Sequence, residues 1–520
     1  MHPRTLAIVL ALIITAPGCL SGGGGEEEPE PPEPPPEADH QIRVFADQGF
    51  GKIAPIHGVN NGPLVDTGWD LCQGLWYDAD YSEQFNMTQI PSARTHGEGP
   101  GDMNRIWVHL DENGVPVYDG YDPLDPANYD FSETDDRINS TMGTTHTEVY
   151  WRLGYSKGAP AVQDCPDWRA PPDNLTVFAQ AAVQVLKHYR EGWADGYYYE
   201  GFNAVEVWNE PYLPDWYSGT PGQYFQMYHE VNTAVTAAFG NAIDVVAAIE
   251  LDPTHIEFTT RFLELAREHE EPIDAVYVHL YRTNPSQTIY NMYADENYSI
   301  EALLTAYGYP ADTPVYITEW NRNIPIYANS PASQPYLMSI LSIYNDLWEG
   351  NEGNSSLGHT NLRMAHYFAS RSFMWTADNT PKPPGFTWEI YGKMISDTPN
   401  RLATSGGHHS SGMASDELNV LAGVSDDGET IQVLITRYVA DAGESPNGFS
   451  DVNETVDLYV DGLGWGSCTF TVEMSGLTPD GETPWQSSYS GTDQYDLELE
   501  GFVINERSYH LITLEKGPHC

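Results

Sequence analysis

The feature that most constrains this chain is a series of short apolar runs separated by amphipathic segments. The runs read APIHGVN (54–60), PSARTHG (91–97), EVYWRLG (148–154) and AVEVWNE (204–210). They continue as DVVAAIE (244–250), AVYVHLY (275–281), PVYITEW (314–320) and MAHYFASRSFMWT (364–376). Most are too short for helices and suit strands buried on both faces. Helical spacing of apolar residues recurs between them, as at 177–190, 224–239, 258–268 and 336–347. Strand–helix alternation produces parallel sheet. Eight such units over roughly 340 residues predict an α/β fold, a closed (β/α)8 TIM barrel rather than an open doubly wound sheet. No Gly-x-Gly-x-x-Gly turn follows the first run, which argues against a dinucleotide site. No cofactor is expected.

The pattern changes near residue 397. LNVLAGVSDDGETIQVLITRYV, ETVDLYVDGLG, SCTFTVEMSGL and ERSYHLITLEK alternate with period two between Gly/Asp turns. That is the pattern of an all-β module, expected as a sandwich over 397–520. The barrel is assigned to 41–396, and the segment at 41–50 is expected to lend a strand to the sandwich.

The N-terminus reads as an export signal. Arg4 precedes an apolar run at 6–16 that is too short to span a bilayer, and APGC follows at 16–19. APGC resembles the lipobox of prokaryotic lipoproteins, so residues 1–19 are expected to be a signal peptide with Cys19 lipidated. Residues 20–40, rich in Gly, Glu and Pro, read as a tether. The implied location is the cell surface or periplasm, with the lipidated N-terminus as the only membrane contact. Export permits disulfides. Among Cys72, Cys165, Cys468 and Cys520, the first pairings to test are Cys72–Cys165 and Cys468–Cys520. No Cys-x-x-Cys or His-x-x-x-His spacing occurs, so no metal site is expected.

Charge narrows the partners. With 75 Asp+Glu against 23 Lys+Arg, the formal net charge is -52. Such a polyanion repels nucleic acid and anionic lipid. Six lysines in 520 residues, with acid spread over the folded part, suit a protein working in concentrated salt, where self-repulsion is screened. The 33 Tyr and 14 Trp offer flat faces with polar edges, suited to sugar rings. The oligomeric state is left open.

A TIM barrel does its chemistry at the C-terminal ends of its strands. The groups there are His57 and Asn60, Arg94 and His96, Asn209 and Glu210, His279 and Tyr281, Glu319 and Trp320, and Trp375. Hydrolysis of a glycosidic bond needs one carboxyl to protonate the leaving oxygen and a second to stabilise or attack the anomeric carbon. Glu210 on the fourth run and Glu319 on the seventh would face each other across the mouth. Asn209 can hydrogen-bond a ring hydroxyl, and His279 and Tyr281 can orient Glu319.

At these residues the sequence resembles a known family. VEVWNEP and VYITEWN, with HLY between them, are similar to clan A glycoside hydrolases. ARTHG, NGVPVYDG, YDFSETDD, WRLGYS and LNVLAGVSDDGETIQVLI narrow the resemblance to family 39, which includes β-xylosidases and α-L-iduronidases. The likeness runs from about residue 41 to 516. It implies a retaining double displacement, with Glu210 as acid/base and Glu319 as nucleophile. Asn209, His279 and Tyr281 fall on positions that contact substrate or support the nucleophile. Trp375 is expected as a stacking platform, and Trp320, His57, Arg94 and His96 are further substrate-binding candidates. The leading activity is an exo-acting, β-xylosidase-like enzyme on oligo- or polysaccharide. An endo-acting hydrolase of an extracellular or marine polysaccharide and a non-catalytic sugar-binding lipoprotein are the alternatives.

Overall fold

The eight expected strands are present and close on themselves. In chain order they are His57–Asn60, Ser92–Arg94, Glu148–Leu153, Ala204–Val207, Asp244–Ala248, Ala275–Tyr281, Val315–Asn321 and Leu362–Tyr367, forming one parallel barrel. Strand positions here count from His57–Asn60. The computed structural model describes residues 38–65, 79–96, 101–155, 167–322, 330, 332–351, 353–407, 416–440, 453–466, 468–477, 484–492 and 497–517. The expected signal peptide, the expected tether as far as residue 37, and Cys19, Cys72, Cys165 and Cys520 lie outside these residues. Cys468 is disulfide-bonded.

The helices form where the apolar spacing predicts them, and their ends follow from the sequence. Leu175–Glu191 starts on an Asn174 cap and stops at Gly192 in the left-handed conformation. Pro221–Phe239 opens with a Thr220/Gln223 capping box and proline in its first turn. Ser333–Leu347 has one charged residue in fifteen and is buried along its whole length. A helix buried on every side has no water-facing stripe, and here a second sheet covers what the barrel does not.

That sheet has nine strands. Their hydrogen-bonded order is Pro484–Thr492, Thr469–Leu477, Arg507–Lys516, Thr430–Val439, Asp416–Val424, Asn400–Ser405, His40–Lys52, Asn453–Asp461 and Leu497–Asn505. Glu506 alone joins the strand at one end of this order to the third strand from the other end, so the sheet folds over into two layers. His40–Lys52 pairs antiparallel with Asn400–Ser405 and parallel with Asn453–Asp461. The N-terminal segment is therefore built into the C-terminal sheet.

Period two decides which core each side chain enters. On Thr430–Val439, Ile431, Val433 and Ile435 join the apolar cluster inside the sheet domain, with Ile42, Val44 and Leu458. Leu434 and Tyr438 point the other way and join the barrel's cluster. Arg401 Nη2 donates to the buried Asp346 carboxylate at 2.7 Å, and the Ser339 and Thr436 hydroxyls meet at 3.0 Å. Residues 38–520 accordingly form one compact unit.

Candidate active site

The fourth strand is buried at every residue and pairs with both neighbours. It stops at Val207, and Trp208 and Glu210 then take left-handed backbone, with φ of 71° and 42°. For a side chain larger than glycine this costs of order 1–3 kcal/mol and persists only where the surroundings fix it. Here Trp208 Nε1 donates to the Trp216 carbonyl at 3.0 Å, and Tyr277 Oη donates to the Trp208 carbonyl at 2.9 Å. The indole lies over Gly154, where an added Cβ would stand 2.8 Å from the ring. The locked turn lifts Asn209 and Glu210 over the barrel mouth.

Glu319 comes from the seventh strand, in register with His279 on the sixth, and Asn321 stands opposite Tyr281. Its Oε2 accepts from Tyr281 Oη at 2.6 Å and its Oε1 from Arg94 Nη1 at 2.9 Å. His279 Nδ1 lies 2.9 Å from Glu210 Oε1 and 3.6 Å from Glu319 Oε2, so one imidazole bridges the two carboxylates. His96 Nε2 lies 3.5 Å from Glu319 Oε1. One carboxylate oxygen each of Glu210 and Glu319 and one ring nitrogen of His279 lie within 4.8 Å of one another.

Arg94 is the hub of this network and is wholly buried. It grips Glu206 through Nε and Nη2, and donates to Asn209 Oδ1 at 2.7 Å and Asn60 Oδ1 at 2.8 Å. Burial opposes its charge, but Glu206 and Glu319 raise its pKa above the ordinary value. Burial likewise opposes ionisation of Glu319. His279 and Arg94, with the hydrogen bonds from Tyr281 and Arg94, outweigh it and hold the carboxyl below its usual range. Burial works against the His279 cation too, yet Glu319 and Glu210 raise its pKa. The result is an ionised Glu319 in a pocket that excludes most water.

The structure therefore brings Glu210, Glu319, Asn209, His279, Tyr281, Arg94 and His96 together. Three other candidates are corrected. His57 is the first residue of its strand, at the opposite end of the barrel. It is fully buried, with Nε2 on the Thr88 carbonyl at 2.9 Å, and burial lowers its pKa to about 4. Trp320 neighbours Glu319 and so points to the opposite face, into the helix layer against Tyr344, Tyr367 and Trp388. The eighth strand ends at Tyr367, and Trp375 lies beyond the turn and short helix that follow. It is fully buried against Tyr81 and Phe85, so it offers no stacking face.

Sequence reasoning missed several residues near the site. Phe368 follows the eighth strand and packs 5.5 Å from the His96 ring, and Trp216 lies 6.1 Å from the same ring. Both are half-buried, which makes them better stacking candidates than Trp375. Glu206, the Arg94 partner, was detectable as a carboxylate inside the apolar run AVEVW. Asn209 Nδ2 and His279 Nε2 are buried and have no hydrogen-bond partner among the described residues. In a buried site such donors suit hydroxyl groups brought by a ligand. The three-ligand cluster of Glu210, His279 and Glu319 could offer atoms to a cation, but the Arg94 guanidinium already supplies positive charge to Glu319.

This combination defines a class: a parallel eight-stranded barrel with a terminal sheet domain and two glutamates facing each other at the mouth. No protein-family model matches the chain, and no curated protein matches it. Solved structures do. A glucosidase from Croceicoccus marinus superposes with a TM-score of 0.67 at 19% identity, over 92% of this chain and 99% of that one. A GH39 enzyme from Xanthomonas axonopodis pv. citri gives 0.62 at 14% identity, covering 92% and 98%. A GH39 β-xylosidase from Caulobacter crescentus gives 0.57 at 14%, covering 91% and 99%. The chain thus shares the architecture of family 39 glycoside hydrolases over nearly its whole length.

Proposed function

We propose that the chain is a retaining O-glycoside hydrolase acting on oligo- or polysaccharide. The observation that carries this reading is the pair Glu210 and Glu319, from strands four and seven, with one carboxylate oxygen of each within 4.8 Å of the other. Retaining glycosidases hold their carboxyl groups roughly 5–5.5 Å apart, a separation that this contact permits.

In the first step Glu319 attacks the anomeric carbon while Glu210 gives its proton to the departing glycosidic oxygen. In the second, Glu210 takes a proton from water as that water's oxygen displaces Glu319 from the sugar. Arg94 and Tyr281 hold the attacking carboxylate ionised and aimed. Asn209 Nδ2 is free to donate to a sugar hydroxyl beside the reacting carbon. We assign exo action with β-xylosidase-like preference as the leading activity, on the family resemblance together with the likeness to the Caulobacter β-xylosidase.

A panel of aryl glycosides and polysaccharides tests the reading. Turnover of at least one aryl β-glycoside, abolished in Glu319→Ala, is the expected result. Turnover that survives Glu319→Ala would contradict it. Release of internal fragments from a polysaccharide would replace exo with endo action. Binding without turnover would make the protein a sugar-binding module.

A further inference from the structure

We propose that Tyr438, on the sheet domain, is a positioning residue for the catalytic pair. The inference rests on the assignment of Glu319 as nucleophile. Tyr438 is buried and faces the barrel rather than its own domain's interior. Two strands of the active site are linked to its ring by the residues that follow them. One is the seventh strand: Arg322, three residues after Glu319, places its guanidinium 5.3 Å from the ring centroid. The other is the sixth strand, reached through Tyr336. The Tyr336 ring meets Tyr438 edge-on at 5.2 Å and 73°, and its hydroxyl donates to the Arg282 carbonyl at 2.7 Å. Arg282 follows Tyr281, whose hydroxyl holds Glu319 Oε2 at 2.6 Å.

The sheet domain is therefore tied, through Arg322 directly and through Tyr336 to the Arg282 carbonyl, to the chain just beyond Glu319 and just beyond Tyr281. A cation over an aromatic face and an edge-to-face ring pair are both directional, so the ring fixes the relative height of the two strand ends. Removing it lets the strands slide by fractions of an ångström. The Tyr281 hydrogen bond lengthens, the Glu319 carboxylate loses aim and anion support, and substrate binding, which uses other groups, changes little. This differs from a stabilising interface, which would lower Tm and leave the kinetics of the folded enzyme alone.

The test uses the full chain and an aryl glycoside it turns over. Tyr438→Ala is expected to lower kcat roughly 10- to 100-fold with KM changed by less than about threefold, the size of effect that small misplacements produce. The acid limb of its kcat/KM profile should move to higher pH, because a less supported Glu319 is protonated sooner. Tyr438→Phe, which keeps the ring that Arg322 and Tyr336 touch, should restore kcat and the limb. Tyr336→Phe, which loses the bond to Arg282, should show a smaller change of the same kind. A Tyr438→Ala enzyme with lowered Tm but unaltered kcat and acid limb would overturn the proposal. If that variant fails to fold, a Tyr336→Phe enzyme unaltered in both readouts does the same. Glu319→Ala is assayed in parallel. If it keeps turnover, the nucleophile assignment falls. If it is inactive while Tyr438→Ala has kinetics and limb intact, the positioning role alone falls.

Discussion

Arg94 shows how much one residue can hold. A strand-end arginine reads equally well as a clamp on the barrel rim, but its ion pairs with Glu319 and Glu206 give it two tasks: neutralising a buried carboxylate pair and keeping Glu319 ionised. Arg94→Met should cost about 3–5 kcal/mol, because the burial penalty of the charges left behind is no longer offset. The sign of its pH dependence follows from Glu319. In the native protein its pKa lies below the unfolded value of about 4.3, so its contribution to stability is present above that pH and lost as acid carries the pH through the folded value. Without Arg94, only His279 and the Tyr281 hydrogen bond oppose the burial penalty, the folded pKa of Glu319 rises, and the stability its ionised form contributes at neutral pH shrinks. Urea unfolding should therefore show the variant's deficit largest near pH 7 and shrinking toward pH 4. An equal deficit at both pH values would show that Arg94 acts by packing alone.

At the scale of elements, the eight strands and the principal helices were legible because apolar periodicity is set by burial, and burial is what the barrel imposes. Glu210 and Glu319 were legible for a related reason: a carboxylate ending an apolar strand needs explaining. Trp320 and Trp375 misled because a tryptophan near a strand end looks like a platform. Strand alternation already put Trp320 opposite Glu319, and only the real end of the eighth strand, at Tyr367, places Trp375 beyond it. Glu206 was visible as a carboxylate in an apolar run, but its pairing with Arg94, two strands away, leaves no trace in local spacing. The docking of the sheet domain was half legible. The period-two pattern predicted its strands, but not that the helix Ser333–Leu347 would be buried on all sides between the two parts. Truncation near Asn400 should expose that helix and strand His40–Lys52 together, and yield insoluble protein on sedimentation of the lysate. A soluble, active barrel from that truncation would mean the sheet domain is an independent module.

Over the whole chain acidic side chains outnumber basic ones, 75 Asp+Glu against 23 Lys+Arg. A net charge of -52 on 520 residues repels itself over about 10 Å at 0.1 M salt and about 3 Å at 1 M. We infer a protein adapted to high salt, and its Tm should rise between those two concentrations; a flat or falling Tm would contradict the inference. The same field repels polyanions and leaves neutral sugar chains unopposed, which fits a mouth where the unpaired Asn209 Nδ2 and His279 Nε2 accompany two glutamates. The chemistry at that mouth is the central claim, and chemical rescue tests it most directly. Glu319→Ala, given an aryl glycoside that the native enzyme cleaves and added azide, should regain turnover and form a glycosyl azide. NMR of that product should show the anomeric configuration inverted relative to the substrate, because azide enters the space left by the nucleophile. A retained azide from Glu319→Ala, with the inverted product arising from Glu210→Ala instead, would show that the two glutamates have the opposite roles.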